Sequence, residues 1–209
     1  MPTSLSKIIN SVQDTININA DEVTELDRAI GDGDHIVNLQ RGLEALAKIS
    51  DELSGMEDWS PALMKIGMTL MSTMGGASGS LFGTLFISMA KAAKGKQLDS
   101  STFPDIFIQG VESVKQRGKA DIGEKTMLDT LIPVANSLVA DAKNNSPFNQ
   151  SLGNVVEHAI KGMESTKDLI ATKGRASFLG DRSKGHIDAG ARTSQLMICA
   201  IVDVLKQGQ

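Results

Sequence analysis

In nearly every segment of this 209-residue chain the apolar residues recur every three or four positions, and nowhere do they alternate convincingly with period two. Ile8, Val12 and Ile16 make one such row, Leu63, Ile66 and Leu70 another, and Phe103, Phe107, Val111 and Val114 a third. Residues so spaced share one face of an α-helix, so the chain must bury helix faces against helix faces. Start and stop signals divide the pattern into eight predicted helices, over residues 4–28, 35–53, 60–73, 77–94, 102–118, 126–143, 149–173 and 189–207. Ser60-Pro61 sets a capping residue before a proline at the first helical position, and Gly75-Gly76 separates two apolar helices that would otherwise merge. Pro133 falls inside a periodic stretch and predicts a kink. The expected fold class is all-α, a bundle with mostly short connections.

Composition agrees. Aromatic residues make up 3% and tyrosine is absent, while ten methionines join Leu, Ile, Val and Ala as core formers, a mixture that favours helix over sheet. No Pro/Gly/Ser-rich or like-charge tract divides the chain, so residues 1–209 are expected to form a single domain. A formal charge of −4, with no Lys/Arg run interleaved with aromatics, argues against nucleic acid as a partner. Cys199 is the only cysteine and lies in the apolar run LMICAIV, where it reads as a buried thiol in a reducing compartment. The N-terminus is too polar for a signal segment, and no stretch approaches 18 uninterrupted apolar residues. A cytoplasmic location without membrane attachment is the expectation.

Four connections are rich in glycine: AIGDGDH at 29–35, MGGASGSLFG at 74–83, RGKADIGEKT at 117–126 and KGRASFLGDRSKGHIDAG at 173–190. In the first, Asp27, Asp32 and Asp34 are spaced i, i+5 and i+7. On an unbroken helix Asp32 would point about 140° away from the other two, so convergence of all three requires the break that Gly31 and Gly33 supply. Three carboxylates beside a phosphate-binding loop suit a hard cation such as Mg²⁺. A second reading stands beside this one, with Asp34 capping the next helix and the other two acids solvated. A calcium loop starting at Asp32 fails, because Ile36 and Val37 occupy the positions that need Asp or Asn and then Gly.

GGASGSLFG puts small residues before an apolar helix, where backbone N–H groups and the hydroxyls of Ser78 and Ser80 can meet an anion. Equally, its glycines suit close helix–helix packing. It matches neither G-x-x-x-x-G-K-[ST] nor G-x-G-x-x-G, and no strand precedes it. The segment from Lys173 to Gly190 is long enough to be a lid or an ordinary solvated connection, and Arg175 within it can pair with phosphate in a fork. His35 adjoins Asp34 and can donate to phosphate or simply begin a helix; Met127 can pack against a flat base or sit in the core. The three histidines are not spaced as zinc ligands, and no activated Ser or Cys is indicated.

Taken together, LDRAIGDGDHIVNLQRG, GGASGSLFGT, RGKADIGEKTM and KGRASFLGDRSKGHIDAGA resemble, in order and spacing, the L-subunit family of dihydroxyacetone kinases, and the resemblance spans the chain. It implies an antiparallel eight-helix barrel holding ADP at one end with two Mg²⁺ ions. By position Asp27, Asp32 and Asp34 match the metal-binding acids, and His35, Ile36, Val37 and Asn38 match the stretch lining the nucleotide. Ala77, Ser78, Gly118, Met127, Arg175, Asp188, Ala189 and Gly190 match further nucleotide contacts. Arg175 is the expected catalytic residue, facing the transferred charge. Family members often carry proline where this chain has Ala189, a change that would loosen the lid.

In the stand-alone form of the family ADP is a resident cofactor, and ATP its phosphorylated form. The donor is a phosphohistidine on an M subunit, fed by phosphoenolpyruvate through the phosphotransferase system. The acceptor is dihydroxyacetone, held on a K subunit. Another form uses free ATP and joins the K and L parts in one chain; no K part accompanies this sequence, which points to the stand-alone form. The nucleotide head of fatty acid kinases resembles this domain too, but those proteins continue into further domains beyond the equivalent of Gln209. A non-catalytic nucleotide sensor or partner-binding module is the other alternative.

Overall fold

The computed structural model describes residues 5–208. Among them are ten α-helices and no strand: α1 (Leu5–Ile18), α2 (Ala20–Ile30), α3 (His35–Lys48), α4 (Ser50–Ser54), α5 (Trp59–Thr73), α6 (Gly76–Ala93), α7 (Phe103–Gly118), α8 (Leu128–Lys143), α9 (Phe148–Ser165) and α10 (Ala189–Gln207). Two 3₁₀ segments, Thr166–Asp168 and Arg175–Ser183, lie between α9 and α10. The predicted helix over 4–28 is broken at Asn19, whose side-chain amide donates to Thr15 O (2.7 Å), and α2 runs on to Ile30. The one over 35–53 is broken at Ile49. If each broken pair counts as one rod, eight rods remain, the number expected from periodicity.

The rods close into a ring. α3 packs on α5, α5 on α6, and so on in chain order to α10, which packs back on α1, while α1 also packs on α3. Neighbours run antiparallel. Ser6 N–H donates to Ser54 Oγ (2.9 Å) at one end of the α1/α3–α4 pair, while Gln40 Nε2 meets Asn17 Oδ1 (2.9 Å) towards the other. Arg192 at the start of α10 pairs with Glu22 in α2 at 2.8 Å, and Ser11 reaches Ala200 O further along. The inward faces make one contiguous apolar core that includes Ile16, Leu39, Leu53, Ile106, Val114 and Leu128. The thiol of Cys199 is half-buried, accepts from Gln195 Nε2 (3.1 Å) and is pushed up by burial, in keeping with an inert thiol.

Glycines set how closely some rods approach. Pro133 lies inside α8 without ending it, and its missing N–H leaves the Asp129 carbonyl without the usual partner four residues on. Gly162 of α9 sits directly over that carbonyl, where a Cβ would lie 2.2 Å from the oxygen. Gly162→Ala, which in an open helix would gain helix propensity, is therefore expected to cost about 2–3 kcal/mol through overpacking, read from the denaturant midpoint.

One helix ends early. The row predicted as helix 149–173 stops at Ser165, although apolar Leu169 and Ile170 continue its spacing. Thr166 accounts for the stop. Its hydroxyl turns back to Met163 O (2.7 Å) and its carbonyl is taken by the ammonium of Lys125, which leaves a single 3₁₀ turn before the chain becomes extended at Leu169. Among the described residues no helix is long and apolar enough to cross a membrane.

Candidate functional site: a three-acid turn in a lidded cavity

The antiparallel order brings the α2–α3 turn, the start of α6, the α7–α8 connection and the segment after α9 to one end of the ring. They surround a cavity of about 500 Å³.

The acidic turn forms because helix α2 cannot continue through Gly31-Asp32-Gly33. Gly33 adopts φ +76°, a left-handed conformation that glycine takes without strain. At Gly31 the requirement is space, since a Cβ there would lie 2.1 Å from Asp27 Oδ1. With both glycines in place, carboxylate oxygens of Asp27, Asp32 and Asp34 lie within 4.8 Å of one another. Oxygens on one Mg²⁺ sit about 2.1 Å from the ion, so a separation of this order suits cation binding. Asp34 immediately precedes α3, yet its side chain makes no capping bond. Asp27 provides that bond instead, accepting from His35 N–H at 3.0 Å. The capping alternative is thus answered by a different acid, and the carboxylates of Asp32 and Asp34 face the turn.

His35 begins α3 and is held at both ring nitrogens. Nε2 lies 2.9 Å from Thr193 Oγ1, and Nδ1 lies 3.1 Å from Ser78 Oγ. The Thr193 hydroxyl donates to Ala189 O (3.0 Å), so its oxygen is left to accept from Nε2–H, and Nδ1 accepts from Ser78. Burial pulls the imidazole below its ordinary value, opposed by the charges of Asp27 and Asp34, which suits this neutral tautomer. His35 is therefore a strut tying α3 to the starts of α6 and α10. Both nitrogens are engaged, which disfavours the phosphate-donor role considered from sequence.

The α10 side of the cavity centres on Asp188. Its Oδ2 accepts from Ala191 N–H (2.7 Å) and caps α10. Burial pushes this carboxyl up to about 7, with the charges of Asp129 and Asp27 adding to the rise while the Ala191 bond and Lys125 oppose it. A carboxyl that titrates higher folded than its unperturbed 3.8 binds more protons when folded, so its contribution falls as pH rises from about 4 to 7. Asp188→Asn keeps an acceptor for the cap and removes this titration. Its melting temperature should gain on that of the parent as pH goes from 5 to 8, and the two should converge at the acid end.

The segment after α9 arches over the acids. Arg175 Nε lies 2.5 Å from Asp32 Oδ2, docking the arch on the turn, although the arginine is 73% exposed. An exposed pair of this kind contributes little stability and exchanges readily for another anion. Beside the turn, where Ser78 meets His35, Gly75 leads into α6, whose first N–H groups, from Gly76 on, have no partner within the helix. Arg117 Nε donates to Ser80 Oγ (2.8 Å) beside them.

The DAK2 domain matches residues 29–203. The Listeria innocua protein named "PEP-dependent dihydroxyacetone kinase 1, ADP-binding subunit DhaL" is 40% identical over 194 residues, which cover 93% of this chain and 92% of that one. The chain belongs to the DhaL family. The Escherichia coli K12 protein named "PEP-dependent dihydroxyacetone kinase, ADP-binding subunit DhaL" is 39% identical, with 95% of this chain and 96% of that one aligned. The dihydroxyacetone kinase of C. freundii shares the fold at TM-score 0.74 in its native form and in its complex with AMP-PNP and Mg²⁺, at 25% and 24% identity. Those matches cover 95% of the DhaL-family chain but about a third of the longer C. freundii kinase.

Within this DhaL-family fold the cavity gathers Asp27, Asp32, Asp34, His35, Asn38, Ala77, Ser78, Gly118, Met127, Arg175, Asp188, Ala189 and Gly190. Ile36 and Val37 do not line it. At about 100° per residue, α3 turns His35 and Asn38 towards the cavity, Ile36 into the core (4% exposed) and Val37 out to solvent (53%). Met127 is buried at the cavity wall rather than free in a loop. Lys125, Asp129, Thr166 and Thr193 went unmarked in the sequence reading. Asp129 holds the α7–α8 connection through Gly123 N–H (2.5 Å) and Thr126 N–H (2.7 Å), and burial raises its carboxyl. Of these four only Lys125 lies in a segment that the sequence marked, the glycine-broken KADIGEKTM stretch.

Proposed function

We propose that this chain is the ADP-binding subunit of a phosphoenolpyruvate-dependent dihydroxyacetone kinase, working in the cytoplasm between a phosphohistidine-bearing M subunit and a dihydroxyacetone-binding K subunit. The observation that carries this reading is the convergence of Asp27, Asp32 and Asp34 at a cavity that the start of α6 also lines. Oxygen-only donors of this charge fit Mg²⁺, and the related C. freundii kinase was solved with AMP-PNP and Mg²⁺. The three acids would hold two Mg²⁺ ions. Bound there, the ions supply positive charge against a diphosphate.

The other residues bind, orient and exclude water. The partnerless N–H groups opening α6, around Ala77 and Ser78, face phosphate oxygens. Asn38 and Gly118 border the nucleotide, Met127 packs on its base, and Asp188 fixes Ala189 and Gly190 where they can contact it. Arg175, carried on the lid, faces the charge that develops on the phosphoryl group in transit. A site with acids, cation, backbone and arginine but no activated nucleophile suits a group passing through the nucleotide rather than through a protein side chain.

The test is reconstitution. Mixing this chain with K and M subunits, phosphoenolpyruvate and the general phosphotransferase proteins should yield dihydroxyacetone phosphate only when all are present. No product in the complete mixture would favour a nucleotide sensor instead.

A further inference from the structure

Lys125 has no place in the roles assigned so far, yet it is the largest of the fully buried side chains, at 1% exposure. Its backbone takes φ +61°, a conformation that side-chain-bearing residues seldom adopt. The ammonium donates to two carbonyl oxygens, those of Thr166 at the end of α9 and His186 at the end of the lid. Asp188, Asp129 and Asp168 supply the surrounding negative charge. Burying a lysine costs more than burying an aliphatic residue of the same volume, so filling space does not explain it.

What the ammonium joins does explain it. Three segments meet at this point: the α7–α8 connection, which delivers Thr126 and Met127 to the cavity, the lid foot that leads to Asp188, Ala189 and Gly190, and the turn at Thr166, which ties the other two to the end of α9. The foot is held twice more, by Gly185 N–H to Lys167 O (2.7 Å) and Asp188 N–H to Thr166 Oγ1 (3.0 Å). The adjacent residue, Glu124, holds the other foot. It accepts from Thr172 Oγ1 (2.8 Å) and pairs with Lys173 at 3.3 Å. Between the feet, Gly174 and Gly180 take φ +62° and +54°, with open space where a Cβ would lie. Two neighbouring residues thus clamp both ends of an arch that carries glycines in left-handed conformations between them.

We propose that Lys125 is a positioning residue for the phosphoryl relay: it clamps the lid's C-terminal foot to α9, keeping Asp188–Gly190 aligned with the three-acid turn while the arch bearing Arg175 moves. This rests on the nucleotide-binding reading of the cavity. In ADP- and Mg²⁺-loaded full chain, Lys125→Met should speed amide hydrogen exchange over residues 184–191 at least 10-fold and leave α3 and α5 at parent rates. ADP release should quicken by a similar factor with its Mg²⁺ requirement intact, and Lys125→Arg should restore part of both.

Unchanged exchange over 184–191 in Lys125→Met would overturn the proposal, as would faster exchange spread evenly over the chain. Should the methionine variant fail to fold, the parent protein labelled with ¹⁵N-lysine decides. A slowly exchanging ε-ammonium resonance that vanishes in Lys125→Arg supports the clamp, and its absence from the parent overturns it. Parent protein that takes up no ADP overturns the nucleotide reading and the relay role with it, an outcome distinct from an unaltered exchange pattern in loaded protein.

Discussion

Asp34→Asn is expected to abolish retention of ADP, weakening Mg²⁺-dependent binding by roughly 100-fold or more, since the affinity of hard cations follows ligand charge. The change removes one charge at nearly constant shape. Because the Asp34 side chain makes no capping bond, α3 does not depend on it for its start. The acids lie within 4.8 Å of one another and repel, so the metal-free variant should melt no lower than the parent, and slightly higher at low salt. Denatured protein analysed by mass spectrometry reads the first effect, and thermal melting in chelator reads the second. Nucleotide retained at the parent level would count against the carboxylate cluster; a collapse in melting temperature would mean that Asp34 serves the fold.

The second large effect belongs to Arg175. Arg175→Ala should slow dihydroxyacetone phosphate formation in the reconstituted system by about 10²–10³, the usual loss when one preorganised donor to developing charge is removed. ADP retention should stay within a few-fold of the parent, because the acids and α6 remain. Arg175→Lys should recover only part of the rate, since an ammonium lacks the planar fork that meets two phosphate oxygens. The pair with Asp32 is mostly exposed on the arginine side, so stability should shift by less than about 1 kcal/mol. A large melting shift with an unchanged rate would reverse the assignment.

These two residues were visible in the sequence for physical reasons that others lacked. Asp27, Asp32 and Asp34 announce themselves because two glycines break a helix between them, and a break is the only way that spacing brings three carboxylates together. The rods were legible because apolar periodicity is enforced along each one by the core it buries. Their breaks were not. Asn19 and Ile49 interrupt helices through local bonds that leave the apolar spacing untouched, and α9 ends at Ser165 because of Thr166 and Lys125, 41 residues before it in the chain.

Contacts between distant segments account for the remainder. Lys125 reads as a surface lysine in any linear scan, and only the closed ring shows its ammonium walled in by Thr166 and His186. His35 is held at both ring nitrogens by Ser78 and Thr193, 43 and 158 positions away. Ile36 and Val37 went the other way. Included because the matching stretch runs through them, they turn from the cavity once α3 adopts helical geometry.

In the proposed function Asp27, Asp32 and Asp34 meet around divalent cations that clamp a diphosphate. Crystals grown with ADP and Mn²⁺, measured at the manganese absorption edge, test it most directly. Two anomalous peaks between those carboxylates and the diphosphate are predicted. Nucleotide bound with no peak beside the three acids, or acids turned to water away from it, would contradict the account.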